Sequence, residues 1–429
     1  MLRIAMEADE DPDDDDSPVR LAINNIEILA NSLPPQHVVP PVLEQFPILT
    51  SSPNPNERRA AMAALGAIME GALDFMTPYV NDILPPVFNA LRDPEPMVIR
   101  AALGCLTRIT DELNDNVAHY HSTIVPVVYD LLGSKNPAIM KAACTTLDAI
   151  LEWIEEDEIL QYLPKLMEAL LYIMTANVDS EAKCVVAAAL GTIASTAKEG
   201  FFPYLDHTVH TFFSMKEVTG QDDPELRGVV TDNLGAIASA VGKEKFLPYM
   251  DRTFQLAVEG LKIDSSRLRE SAFLFYAIMS QVLGAEFGHV LPQIMPSLIE
   301  TLSQEDLDLG ETISEEEAIS VLENGQETED FIDTDDDDDE SIEIKVNSAL
   351  QLEKEIAADA VGEIFTHSKE AFLPYLQTAT EQLLELADSY YEGSRKAAIS
   401  SLWKFVMTLG ELQVTEPYEP GLPLVSRSR

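Results

Sequence analysis

Seven residues, Asn89, Asp130, Glu168, Ser214, Glu259, Glu300 and Glu385, fall at one position of a recurring helical phrase, just past its apolar stripe. Five of the seven are carboxylates. Carboxylates at a fixed position of successive stacked helices form a ladder, and a row of like charge repels itself unless something basic fills it. The chemistry on offer is recognition of cations, above all of an extended basic chain. For any one of these residues the plainer alternative is the solvated face of an amphipathic helix. A second acidic feature is the run "DTDDDDDE" at 333–340, with Asp335, Asp336, Asp337, Asp338, Asp339 and Glu340 consecutive. It lacks the glycine and the alternating ligands of a calcium-binding loop. It reads either as a solubilising tether or as an interaction loop for basic partners.

Catalytic constellations are missing from the chain. It has no P-loop, dinucleotide fingerprint, HExxH pair or nucleophile elbow, so no catalytic residue, cofactor or metal ligand is assigned. His119 with His121, and His207 with His210, lie at helix edges without cysteine partners. Cys105, Cys144 and Cys184 sit in apolar helical segments and read as buried small hydrophobes, not as a disulfide or zinc framework. Trp153 and Trp403 read as core or groove residues.

The elements that carry the ladder belong to a repeat. Each unit opens on a basic residue followed by small residues and two apolar anchors, as in Arg59 before Leu65 and Ile68. The first anchors are Ile26, Leu65, Leu106, Leu147, Leu190, Leu234, Phe275, Val361 and Leu402. Their spacing is about 41 residues, with one double step. Two helices per unit at this period predict an all-α HEAT-repeat solenoid, a right-handed superhelix of about nine units with no β-sheet. In such a superhelix the second, ladder-bearing helices are expected to line the concave side. The phrases "KEGFFPYLD", "KEKFLPYMD" and "KEAFLPYLQ" precede three second helices. They read as copies of one elbow, with proline in the first turn and its apolar neighbours stapling the turn to the core.

The double step holds an acidic insertion, 303–346, with no lysine or arginine before Lys345 and too little apolar surface to fold alone. The expected organisation is the end of a truncated helix plus an acidic linker at 1–16 and HEAT repeats at 17–302. The insertion, expected to be disordered, follows at 303–346, and further repeats at 347–429 end on an incomplete one. Both ends read as cuts inside a longer protein. The net charge of −46 disfavours nucleic acid and anionic membranes and favours basic partners. No stretch is apolar for long enough to span a bilayer.

The stretch from "DDDDDESIEIKVNSALQLEKEIAADAVGEIF" to "YYEGSRKAAISSLWKF", together with "DDDDSPVRLAINNIEILANSLPP", resembles the middle of importin-β family nuclear transport receptors. The similarity is to the importin-4 type and its fungal counterpart, which carries ribosomal proteins and histones. The resemblance implies basic cargo on the concave face, cargo release by Ran-GTP and contacts with phenylalanine-glycine nucleoporins on the outer helices. It implies residence in cytoplasm, nucleus and nuclear pore, and cargo or Ran handling by Asp335 to Glu340. The repeats that make the family's principal Ran contact are not in this chain. The alternative from a different class is a HEAT scaffold subunit that organises a multiprotein complex such as a phosphatase.

Overall fold

Capped prolines open three of the helices that carry the anchors. In the computed structural model, α1 (Pro18–Ser32), α3 (Pro55–Ala67) and α7 (Pro137–Glu152) begin on proline with Ser17, Asn54 and Asn136 as N-caps. Proline is tolerated there because its missing N–H would have no helical partner, while the cap satisfies one that remains. The series continues with α5 (Pro96–Leu113), α9 (Ser180–Ala197), α11 (Pro224–Val241), α13 (Ser266–Leu283), α15 (Ser348–Ser368) and α17 (Glu392–Gln413). All nine anchors lie on these odd-numbered helices. Eight are buried, and only Leu402 on α17 is half exposed. Between them run the second helices: α2 (Pro35–Thr50), α4 (Val80–Ala90), α6 (His121–Leu132), α8 (Leu163–Thr175), α10 (Phe202–Ser214), α12 (Met250–Gly260), α14 (Leu291–Ser303) and α16 (Leu376–Leu386).

The described residues are 1–8, 17–70, 72–176, 178–220, 223–304, 313–314, 341–342, 348–389 and 391–413. They fall into two compact units, 1–241 and 242–429. Among them no single helix is long and apolar enough to cross a membrane.

In the first unit each odd helix packs along the next, α3 on α5, α5 on α7, α7 on α9 and α9 on α11. The even helices touch one another far less, α8 against α10 being their fullest contact. Small residues permit the closeness. A Cβ on Gly66 would lie 3.3 Å from the Cys105 Cα, and one on Gly191 would collide with the Asn233 side chain. A stack bends toward its more closely spaced layer, so in this unit the odd helices form the inner layer. The expectation that the ladder-bearing helices are the inner ones is reversed. The amphipathic pattern shows which face of a helix is buried, but not which layer is closer spaced.

In the second unit α13 packs on α15, and α14 on α16, so the repeat continues across the insertion as if it were absent. Arg269 holds the joint: its Nε and Nη2 donate to both Glu353 oxygens at 2.7 and 3.0 Å, and Glu353 is buried. Lys354 Nζ donates to the Gln304 carbonyl at 2.5 Å. Of the expected insertion, Ser303 still belongs to α14 with Gln304 after it, and the other described part is an antiparallel pair, β1 (Ile313–Ser314) with β2 (Ser341–Ile342). This two-residue ladder corrects the expectation of no β-sheet. It joins β-branched isoleucines, Ile313 opposite Ile342, inside a segment of acid. The rest of the expected disordered loop lies outside the described residues.

The elbow phrase is explained by its phenylalanine. Phe201, Phe246 and Phe372 are fully buried, whereas Leu247 and Leu373 are exposed; the half-buried rings of Tyr249 and Tyr375 pack on Phe246 and Phe372, so phenylalanine makes the staple with tyrosine beside it. The residue that ends the preceding helix is left-handed: Lys198 (φ 43°), Gly242 (φ 77°) and Lys369 (φ 49°). A non-glycine residue in such a sparsely populated backbone region costs about 1–3 kcal/mol, which burial of the phenylalanine three residues on offsets.

Candidate peptide-binding surface

All seven ladder residues are exposed on the even helices α4, α6, α8, α10, α12, α14 and α16, at the position the pattern assigns. Glu259 accepts from Gln255 Nε2 at 2.8 Å, an ordinary i,i+4 pair on one helix. Neighbouring helix axes stand at least about 8–10 Å apart. Such exposed charges are screened over about 8 Å in physiological salt. The ladder is therefore a row of separate charges.

Charge is crowded on the other layer. The close approach of α1, α3, α5 and α7 gathers acids from their C-terminal halves, Glu27, Asp111, Glu112, Asp148 and Glu152, and Glu70 from the turn that follows α3. Burial pushes the Asp111 carboxyl up, Glu152 raises it further, and Arg108 pulls it back. Burial also raises Glu112, reinforced by Glu70 and Asp111. Asp148 rises through burial, against a hydrogen bond to Thr192 and with the charges of Glu152 and Asp111 adding. Its Oδ1 is enclosed and has no hydrogen-bond partner. Burial is the largest cause of all three shifts, and neighbouring carboxylates add to it.

Cations are scarce at this surface. The sequence has no lysine or arginine at 21–57, 60–91, 101–107, 109–134 or 142–164, which leaves Arg108 alone among these helix ends. Arg108 Nη1 lies 2.8 Å from Glu27 Oε1, reaching from α5 to α1. The basic residues of the repeat sit at the opposite, N-terminal ends and pin the structure there. Arg58 pairs with Asp93 through two bonds of 2.7 and 2.9 Å, and Arg59 donates to the carbonyls of Ala5 and Glu7.

The row opens into a cleft of about 560 Å³ at the ends of α7, α9 and α11. Glu152, Glu155 and Glu156 rim it, Lys198 lines it with its Nζ 3.1 Å from Glu156, and Thr192, Ser195, Thr196 and Asn233 supply neutral donors and acceptors. An acidic row continuing into a polar cleft can hold an extended basic chain, with ammonium groups on the carboxylates and backbone amides on the hydroxyls. Sequence reasoning missed this row. Its signal is legible in hindsight: Glu27 and Asp148 directly follow a first anchor, and Glu70, Asp111 and Glu152 follow one by five residues, one helical turn further along the same face.

The remaining candidates resolve locally. His121 Nδ1 lies 2.9 Å from the Tyr162 hydroxyl, and its Nε2 lies 3.2 Å from Glu158. His210 pairs with Asp206. Among the described residues no group of three or more histidine, cysteine or acidic side chains is arranged to hold a metal ion. Cys105 and Cys144 are buried thiols pushed up to about 12 by desolvation. Trp153 is half-buried and Trp403 is exposed on α17. Asp335 to Glu340 lie outside the described residues.

Residues 55–109 match the family model described as HEAT-like repeat. The chain is 37% identical over 428 residues to a probable importin subunit beta-4 of Schizosaccharomyces pombe, covering 99% of this chain and 40% of that protein. It is 27% identical over 248 residues to importin-4 of Mus musculus, covering 56% of this chain and 23% of the relative. The crystal structure of Kap121p superposes with a TM-score of 0.77 at 23% identity, over 95% of this chain and 39% of that one. The chain thus spans at most about two-fifths of the length of these relatives.

Proposed function

Because the chain belongs to the importin-β family of karyopherins, we propose that it is the cargo-binding segment of a nuclear import receptor and grips basic, extended cargo segments on its odd-helix layer. One observation carries the reading. Glu27, Glu70, Asp111, Glu112, Asp148 and Glu152 converge on adjacent helices, three of them with raised carboxyl pKa values, and Arg108 is the sole cation among them. Such a surface gains free energy when a lysine or arginine chain supplies the missing charge. Each exposed pair contributes about 0–1 kcal/mol, so affinity needs several pairs together.

Solved structures of related fold add support. Kap121p has been solved bound to Pho4p and to Nup53p, and as a variant in which three acidic residues about one repeat apart are lysines. Ribosomal proteins and histones fit the chemistry as cargo, since both are rich in lysine and arginine. Release by Ran-GTP and docking of phenylalanine-glycine nucleoporins belong to the same proposal for the longer protein. The exposed Tyr172 and Ile48 of the even layer offer apolar footholds for such nucleoporins. Asp335 to Glu340 are proposed to attract basic chains at long range, and the even-layer ladder to add to that field without forming direct contacts. The proposed organisation keeps 1–16 as the end of a helix plus an acidic linker, 303–346 as insertion and the remainder as repeats.

The test is fluorescence anisotropy of a lysine-rich peptide with the full chain and with an Asp111→Asn, Glu112→Gln, Glu152→Gln variant. Loss of binding in the variant supports the reading. Equal affinity, with the fold intact by circular dichroism, removes it.

A further inference from the structure

The acidic row contains its own cation, and that cation lies in an unusual place. Arg108 projects from α5, passes α3 where Gly66 leaves room, and ends on Glu27 of α1, two odd helices away. A Cβ on Gly66 would come within 3.4 Å of the Arg108 Cδ, so the side chain lies along the surface of α3. Arg108 remains 46% exposed and Glu27 24% exposed, which leaves the pair open to solvent and to exchange. The guanidinium also lies near enough to Asp111 to lower that carboxyl, so it touches the field of the row at one side and closes Glu27 at the other.

Resting on the reading that this row binds basic cargo, we propose that Arg108 is a tethered stand-in for a cargo cation, holding Glu27 until an incoming lysine or arginine takes its place. A stem that spans two helices and ends on a half-exposed carboxylate makes a weak, displaceable bond. It relieves repulsion along the row in the unliganded protein and sets a threshold that weakly basic segments do not cross. A peptide that takes Glu27 frees a positive charge, which must turn away from the ligand or settle toward Asp111. Arg108 is therefore a specificity-determining residue that acts against binding.

The experiment compares the parent full chain with Arg108→Ala, Arg108→Lys, Glu27→Gln and the Arg108→Ala, Glu27→Gln pair. The probe is a fluorescein-labelled lysine-rich peptide without acidic residues, at low and physiological salt. Removing one opposing charge is expected to tighten binding about threefold to fivefold at low salt, the range of a single exposed pair. Most of that gain should vanish when Glu27→Gln is added, and Arg108→Lys should return the affinity toward the parent. A purely structural bridge predicts the opposite, an unchanged or weaker complex with a lowered melting temperature. Should Arg108→Ala unfold, Arg108→Gln keeps the stem across Gly66 and removes only the charge. Unchanged or weaker binding by a folded Arg108→Ala or Arg108→Gln variant overturns the stand-in. If the Asp111→Asn, Glu112→Gln, Glu152→Gln variant still loses binding, the parent reading survives that result. If neither set of substitutions alters affinity, the reading of the row falls with it.

Discussion

The two layers of the first unit carry the same kind of charge in opposite ways. On the even helices one exposed residue per repeat, Asn89, Asp130, Glu168 and Ser214, faces solvent at a regular interval, and of these Asp130 and Glu168 are charged. On the odd helices the acids are irregular in sequence, and burial together with neighbouring carboxylates raises the pKa values of Asp111, Glu112 and Asp148. Regular spacing keeps charges apart, and close helix packing brings them together. Only the second arrangement stores repulsion that a basic ligand relieves. What makes a binding surface is then the distance between elements, more than the count of carboxylates on them.

The strongest way to break this contrast is to loosen the close layer itself. Arg269→Ala would leave Glu353 buried between α13 and α15 without its bidentate partner, an expected loss of about 3 kcal/mol or more. Chemical denaturation of the second unit measures it, and a loss below about 1 kcal/mol would show that the joint does not depend on this pair. Charge reversal comes next. Asp111→Lys with Glu112→Lys is expected to weaken lysine-rich peptide binding by about 100-fold, since two attractive groups become repulsive. An effect under about fivefold would move the site elsewhere.

Neutralisation should separate binding from stability. The folded-state pKa values of Asp111, Glu112 and Asp148 are raised, so the folded protein takes up protons more readily than the unfolded chain. Their favourable contribution is complete below the unfolded values of about 4 and is lost as pH rises through the folded ones. At pH 7 the parent bears that penalty. Asp111→Asn with Asp148→Asn should therefore melt higher than the parent at pH 7 while binding peptide more weakly, and the stability gain should disappear by about pH 4. A lower melting temperature at pH 7 would mean that these carboxylates support the fold instead.

The smallest effect is expected on the ladder. Asp130→Ala, Glu168→Ala and Glu259→Ala together should change peptide affinity by less than about twofold at physiological salt, where such charges are screened. A loss of tenfold or more in stopped-flow or equilibrium binding would restore the even layer as the contact surface and erase the contrast between the two.

Local chemistry in the sequence was sufficient for much of this protein. The anchors from Ile26 to Leu402, the period near 41 and the double step around the acidic insertion all depend on neighbours along the chain. They marked out the nine anchor-bearing helices, the all-α repeat and the family. The position of the ladder on its helices was legible for the same reason, because a helical face is set by a period of 3.6 residues. Tertiary structure decided which layer is the close one, since that depends on contacts such as Gly66 against Cys105, where one missing side chain sets the approach of two backbones. It also decided which acids meet and that Arg108 reaches Glu27, a pair 81 residues apart in the chain and 2.8 Å apart in the fold. Helical periodicity is local, whereas the energy of a charge depends on every neighbour within a few ångströms, from whichever helix it comes.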